Sequence, residues 1–124
     1  METLLYVAAF FTFVIGITHS VLGERYILIR LFRRNNLPEL FGSTDFTKQT
    51  LRFAWHITTI AWWGLAAILM LLANDNFSSY NVTIVISVTF LTSGIISLIA
   101  SKGKHYSWLV FLFIGGLSLF AAIT

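Results

Sequence analysis

The chain has 124 residues, 57% of them hydrophobic and only 10% charged, where an ordinary soluble domain carries about a quarter charged residues. A short chain leaves much of its surface exposed, so a water-soluble fold of this size could not hide that much apolar area, and lipid is the expected solvent. The formal charge of +3 does not point to nucleic acid, because the basic residues flank apolar runs, and the absence of cysteine excludes disulfides and thiolate metal sites.

Leu4 to Leu22 is the first apolar run, interrupted only by Tyr6, Thr12, Thr18, His19 and Ser20, and about twenty such residues span a bilayer as a helix. A cleaved signal peptide is the competing reading. The run lacks a basic segment before it and a small-residue cleavage pattern, and its positive charges follow it, which favours a span. In the connection from Gly23 to Arg52, Arg30, Arg33 and Arg34 share a helical face opposite Ile27, Leu28, Leu31 and Phe32. This pattern predicts a short amphipathic helix lying in the membrane interface, its basic face toward anionic headgroups. Asn35, Asn36 and Pro38 should end it, and Ser43, Thr44 and Asp45 are candidate N-caps for the next helix.

Phe53 to Ala73, Val82 to Ala100 and Tyr106 to Ile123 are three further runs without a formal charge. Unpaired backbone groups are not tolerated in hydrocarbon, so each run should be helical. The predicted fold is all-α: one domain over residues 1–124, a polytopic membrane four-helix bundle with the interfacial helix between helices one and two. The Gly23 to Arg52 and Ser101 to His105 connections hold Arg25, Arg30, Arg33, Arg34, Lys48, Arg52, Lys102 and Lys104, whereas the opposite side has Glu2 and Asp75. By the positive-inside rule these connections are cytoplasmic and both termini exofacial.

All three histidines fall at the basic edge of the predicted spans. His19 lies about one turn inside the end of span one, His56 about one turn inside the start of span two, and His105 opens span four. Ionisable residues at such positions are candidates for function. Thr12, Gly16, His19 and Gly23 form a small and polar stripe on span one, Arg52, His56, Thr59, Trp63 and Ala66 a line on span two, and His105, Trp108, Leu112, Gly115 and Leu119 a line on span four. Span three, with Thr89, Thr92, Ser93, Gly94 and Ser97, reads as a packing wall.

Two readings of the histidines stay open. In one, His19, His56 and His105 with Glu24 hold a divalent metal (Zn, Fe or Mn), the carboxylate acting as ligand, orienter or proton acceptor. Haem b is a variant, with two histidines as axial ligands, Gly16 and Gly64 giving room for the macrocycle, and Arg52, Lys102 or Lys104 pairing its propionates. In the other reading the same residues form a hydrogen-bonded or ion-paired cluster without a cofactor, and the protein is a structural or accessory subunit that binds another membrane protein or a second copy of itself. A small channel or carrier would need a polar path through the midplane, for which Thr12, Thr59, Ser93 and Ser97 are a thin basis. Trp55 and Trp108 fit an aromatic belt at the basic edge, while Trp62 and Trp63 lie deeper as packing residues or the lining of a pocket for an apolar molecule.

The stretches Thr18-His19-Ser20-Val21-Leu22-Gly23-Glu24-Arg25 and Leu51-Arg52-Phe53-Ala54-Trp55-His56 resemble small four-helix bacterial inner-membrane proteins of unassigned function. That resemblance implies a bacterial inner membrane and carries no activity. In size the chain is similar to small multidrug transporters, but it lacks the acidic residue that those carry deep in their first span, since Glu2 and Glu24 lie at opposite ends of this one.

Overall fold

The computed structural model describes residues 1–124 and is all-helical. Helix α1 (Glu2–Leu22) begins with an acidic residue in its first turn, where the helix dipole favours negative charge. Gly23 does not stop it. That residue keeps right-handed helical dihedrals, φ −62° and ψ −47°, and the chain winds on through a π-helical stretch (Gly23–Leu28) and a final α-turn (Ile29–Leu31). The segment expected as a separate amphipathic helix is therefore continuous with α1, and the rod ends at Leu31, before the Asn-Asn-Pro signal.

The loop that follows folds back through Phe41 and Gly42, both at positive φ (58° and 83°), and closes with the Leu40 N–H donating to the Ser43 carbonyl at 2.9 Å. Thr47 ties it to the next helix by donating its hydroxyl to the Pro38 carbonyl at 2.8 Å. Helix α2 (Asp45–Ala73) has 29 residues, about 43 Å at 1.5 Å per residue, which exceeds the ~30 Å hydrocarbon core of a bilayer. The Ser43 hydroxyl accepts from the Asp45 N–H at 3.2 Å. A short turn with Asp75 at φ 53° leads to α3 (Ser79–Ser101), whose first turn is capped by Ser78 accepting from the Asn81 N–H at 3.1 Å. Lys102 and Gly103, at φ 51° and 76°, reverse the chain into α4 (Ser107–Ile123).

The helices pack in chain order: α1 against α2, α2 against α3, and α3 against α4. Helix α1 makes no close approach to α3 or α4, so the four-helix arrangement is an open row instead of a closed ring. Three helical rods, Glu2–Leu31, Asp45–Ala73 and Ser79–Ser101, are long and apolar enough to cross a membrane, and α4 is a shorter apolar helix.

The seams are lined mainly by small and polar residues, and apart from the buried Leu28 and Phe53 most large apolar side chains point outward. Thr59, Ser87, Ser93, Ser97 and Ser101 are buried, whereas Phe10, Phe11, Phe113 and Phe120 are each more than 60% exposed. Soluble monomers rarely expose such extended apolar surface, but it matches helices that associate in lipid through close backbone approach. At the α3–α4 seam Gly94 lies under Leu112 and Gly115 under Leu91, and Ser87 donates across to the Gly115 carbonyl at 2.8 Å. Ser93 and Ser101 instead donate to carbonyls one turn back on their own helix, which satisfies a buried hydroxyl without a partner helix.

Candidate functional site

Glu24, Arg52, His56, Ser20 and Thr59 meet at the seam between α1 and α2. Glu24, on the first turn of the π-helical stretch, takes a bidentate contact from Arg52: Nη2 lies 2.8 Å from Oε1, and Nε donates to Oε2 at 3.1 Å. His56, one turn along α2, places Nε2 3.2 Å from the same Oε2 and Nδ1 2.9 Å from the Ser20 hydroxyl. Ser20 Oγ lies 2.7 Å from Thr59 Oγ1, which is 3.1 Å from the Gly16 carbonyl.

Proton counting constrains this chain of contacts. The links His56–Glu24, His56–Ser20, Ser20–Thr59 and Thr59–Gly16 O need one proton each, and the two hydroxyls supply only two. With Glu24 ionised against Arg52, all four are made together only when both imidazole nitrogens carry a proton; a neutral ring leaves one link unmade. With Nε2 protonated, in the charged ring or in that neutral tautomer, both nitrogens of His56 are engaged.

A second set of bonds ties α2 to the backbone of α1. Trp55 Nε1 donates to the His19 carbonyl at 3.0 Å and Trp63 Nε1 to the Phe13 carbonyl at 3.2 Å, on either side of the Thr59 bond to Gly16. Donors spaced by four on α2 therefore meet carbonyls spaced by three on α1. The glycines make this approach possible: a Cβ on Gly16 would come 2.7 Å from Trp63 Nε1, and one on Gly23 would overlap the Trp55 indole. Tyr6 closes the far end of the seam with a hydrogen bond to Asn74.

His19 sits on the same helix as Ser20 but faces elsewhere. Its ring stacks parallel to Trp55 at 4.5 Å and lies 4.9 Å from Trp62 at a tilt, and its Nε2 is buried without a hydrogen-bond partner. His105 belongs to the α3–α4 corner, with Nδ1 2.8 Å from the Ser107 hydroxyl, itself 2.6 Å from Ser97 Oγ. The His105 ring packs against Phe53 and Phe46, which fixes the start of α2 to that corner.

Of the four residues expected to converge on one ligand, only His56 and Glu24 come together. No three His, Asp or Glu side chains group as the ligands of one metal ion. The physical reason lies in the faces: Ser20 and Glu24 draw His56 into the α1–α2 seam, Trp55 and Trp62 hold His19 flat, and Phe46 and Phe53 hold His105 on another face of α2. Arg52 pairs with Glu24 and stacks over Phe32 at 5.0 Å.

The line Arg52, His56, Thr59, Trp63 and Ala66 does face α1, as its spacing predicts. Three features escaped the sequence reading: Ser20 as the bridge between His56 and Thr59, the two indoles that bond backbone carbonyls of α1, and Ser107 as the support of His105. The glycines at 16 and 23 opposite tryptophans at 63 and 55 were the available signal for the second. Comparison with protein-family models, with curated proteins and with solved structures gave no match.

Proposed function

We propose that this chain is a four-span membrane protein with both termini exofacial, and that the Glu24, Arg52, His56, Ser20 and Thr59 cluster is a lock between its first two helices at the cytoplasmic edge. The protein is then a structural or accessory membrane subunit, whose outward apolar faces meet lipid or another membrane protein. The bacterial inner membrane is the proposed location, supported by the likeness carried by Thr18–Arg25 and Leu51–His56. The turns bearing Arg30, Arg33 and Arg34 would lie at the headgroup level, supported by their position beyond the apolar part of α1.

The observation that carries the lock is the saturation of His56. Both ring nitrogens already have partners within the chain, and coordination needs a free lone pair on a ring nitrogen, so ligating a metal or haem would break part of the cluster. A cofactor on His19, His56, His105 and Glu24 is the weaker reading for that reason.

Elemental analysis and an absorption spectrum of detergent-purified protein, read beside the thermal unfolding of His56→Ala, test it. The expected result is no stoichiometric metal or haem band, with a lowered unfolding temperature in the variant. A stoichiometric metal or haem that disappears in His56→Ala would overturn the lock and restore the cofactor site.

A further inference from the structure

Beyond the seam, the outer surface of α1 and α2 carries an open groove of about 420 Å³ lined by Ile15, Thr18, Leu22, Tyr26, Trp55 and Trp62, among others. Its walls are mainly apolar and aromatic, with Thr18 and His19 as the polar exceptions, and it runs along the helix toward the basic edge. At that end Tyr26 is flanked by two guanidinium groups: Arg25 Cζ lies 5.5 Å and Arg30 Cζ 5.6 Å from the ring centroid, within cation–π range. Neither arginine has a carboxylate partner, since the ion pairs of the chain are those of Glu24 with Arg52 and His56.

We infer that Arg25, Tyr26 and Arg30 with this groove form a binding site for one anionic phospholipid, phosphate at the two guanidiniums and an acyl chain along Thr18, Leu22 and Trp62. Charge selects the occupant. Two uncompensated guanidiniums held on one aromatic ring fit a phosphate through charge-assisted hydrogen bonds, and the surface of a cytoplasmic leaflet supplies such headgroups. The groove continuing from them is mostly apolar, polar only at Thr18 and His19, and fits a hydrocarbon chain better than a soluble anion. The inference rests on the membrane reading proposed above.

The test is thermal unfolding of the full chain in a neutral detergent, with phosphatidylglycerol, phosphatidylcholine or soluble glycerol phosphate added. Phosphatidylglycerol is expected to raise the unfolding temperature, and the other two to leave it unchanged. Arg25→Gln/Arg30→Gln should abolish that rise while unfolding close to the parent in detergent alone, because both side chains are exposed and in no ion pair. Arg33→Gln/Arg34→Gln, off the groove, should keep the rise. An equal rise with phosphatidylcholine, an equal rise with glycerol phosphate, or equal loss in the two double variants overturns the site. Carbonate extraction of cell membranes separates the two readings: release of the chain sinks the membrane reading, while retention with no lipid discrimination sinks the lipid site alone.

Discussion

The indole of Trp55 occupies the space that a side chain on residue 23 would need, so Gly23 is the socket into which Trp55 fits. The ring cannot easily withdraw, because its N–H is bonded to the His19 carbonyl and its face carries the His19 ring. Replacing a helical glycine by alanine ordinarily gains up to ~1 kcal/mol of helix propensity. Gly116 has nothing within 4 Å of its would-be Cβ and supplies the comparison. Gly116→Ala should show the propensity gain alone, and Gly23→Ala should fall below it by about 1–3 kcal/mol, the usual cost of overpacking. Denaturant unfolding in detergent measures both, and equal stabilities would mean that α1 is rotated away from Trp55.

The Glu24–Arg52 pair is well aligned but only partly shielded, with side chains 29% and 47% exposed. Solvent screens such a pair, so its coupling in a double-mutant cycle of Glu24→Gln and Arg52→Gln should be about 0.2–1 kcal/mol. Glu24→Gln should cost more than Arg52→Gln, since it also weakens the contact to His56. A larger loss from the arginine variant would place the main role of Arg52 in its contact with Phe32 instead.

Thr59 is buried and joins the two halves of the lock, touching both Ser20 and Gly16. Valine keeps its shape and puts a methyl group in place of the hydroxyl. Hydrogen bonds between helices in membranes are worth on average about 0.6 kcal/mol each, so Thr59→Val should lose roughly 1 kcal/mol for the two contacts. An unchanged unfolding temperature would show that the hydroxyl chain contributes nothing to stability.

Much of this seam is legible in the sequence because helical spacing fixes which residues share a face. Gly16 and Gly23 on one helix and His56, Thr59 and Trp63 on the other are brought together as their spacing predicts. What the spacing does not give is the direction of each side chain within its face. His19 and Ser20 are neighbours, yet Ser20 turns into the hydroxyl chain and His19 onto the tryptophans, a choice made by rotamers and by the aromatic surface available. Equal depth in the membrane was likewise insufficient for His105, which Phe46 and Phe53 capture from another side of α2. The open row of helices was also beyond reach, since apolar runs in lipid carry no signal for which outer faces close on each other.

His19 offers a direct check on that account. With Nε2 buried and unbonded, the ring acts as an aromatic plate against Trp55, and replacing an unsatisfied polar ring by an apolar one is near-neutral or stabilising. His19→Phe should unfold at or above the parent temperature, whereas His56→Phe, which breaks contacts to Ser20 and Glu24, should unfold well below it. Comparable losses in the two variants would give the His19 imidazole a polar role and revive it as a ligand.

Because the native chain has no cysteine, single cysteines can report its orientation. Asn36, in the loop before α2, and Phe77, in the turn before α3, are both exposed and lie beyond opposite ends of α2. The Gly23–Arg52 connection and the Ser101–His105 turn hold every Lys and Arg, while the other side has only Glu2 and Asp75 as charged side chains. Membrane insertion retains short basic loops in the cytoplasm, so this asymmetry should fix one orientation. A membrane-impermeant thiol reagent should therefore label Phe77→Cys in intact cells and Asn36→Cys only after permeabilisation. The reverse pattern would invert the topology and place the Glu24–Arg52–His56 cluster at the outer face; labelling of both in intact cells would show that α2 does not cross the membrane.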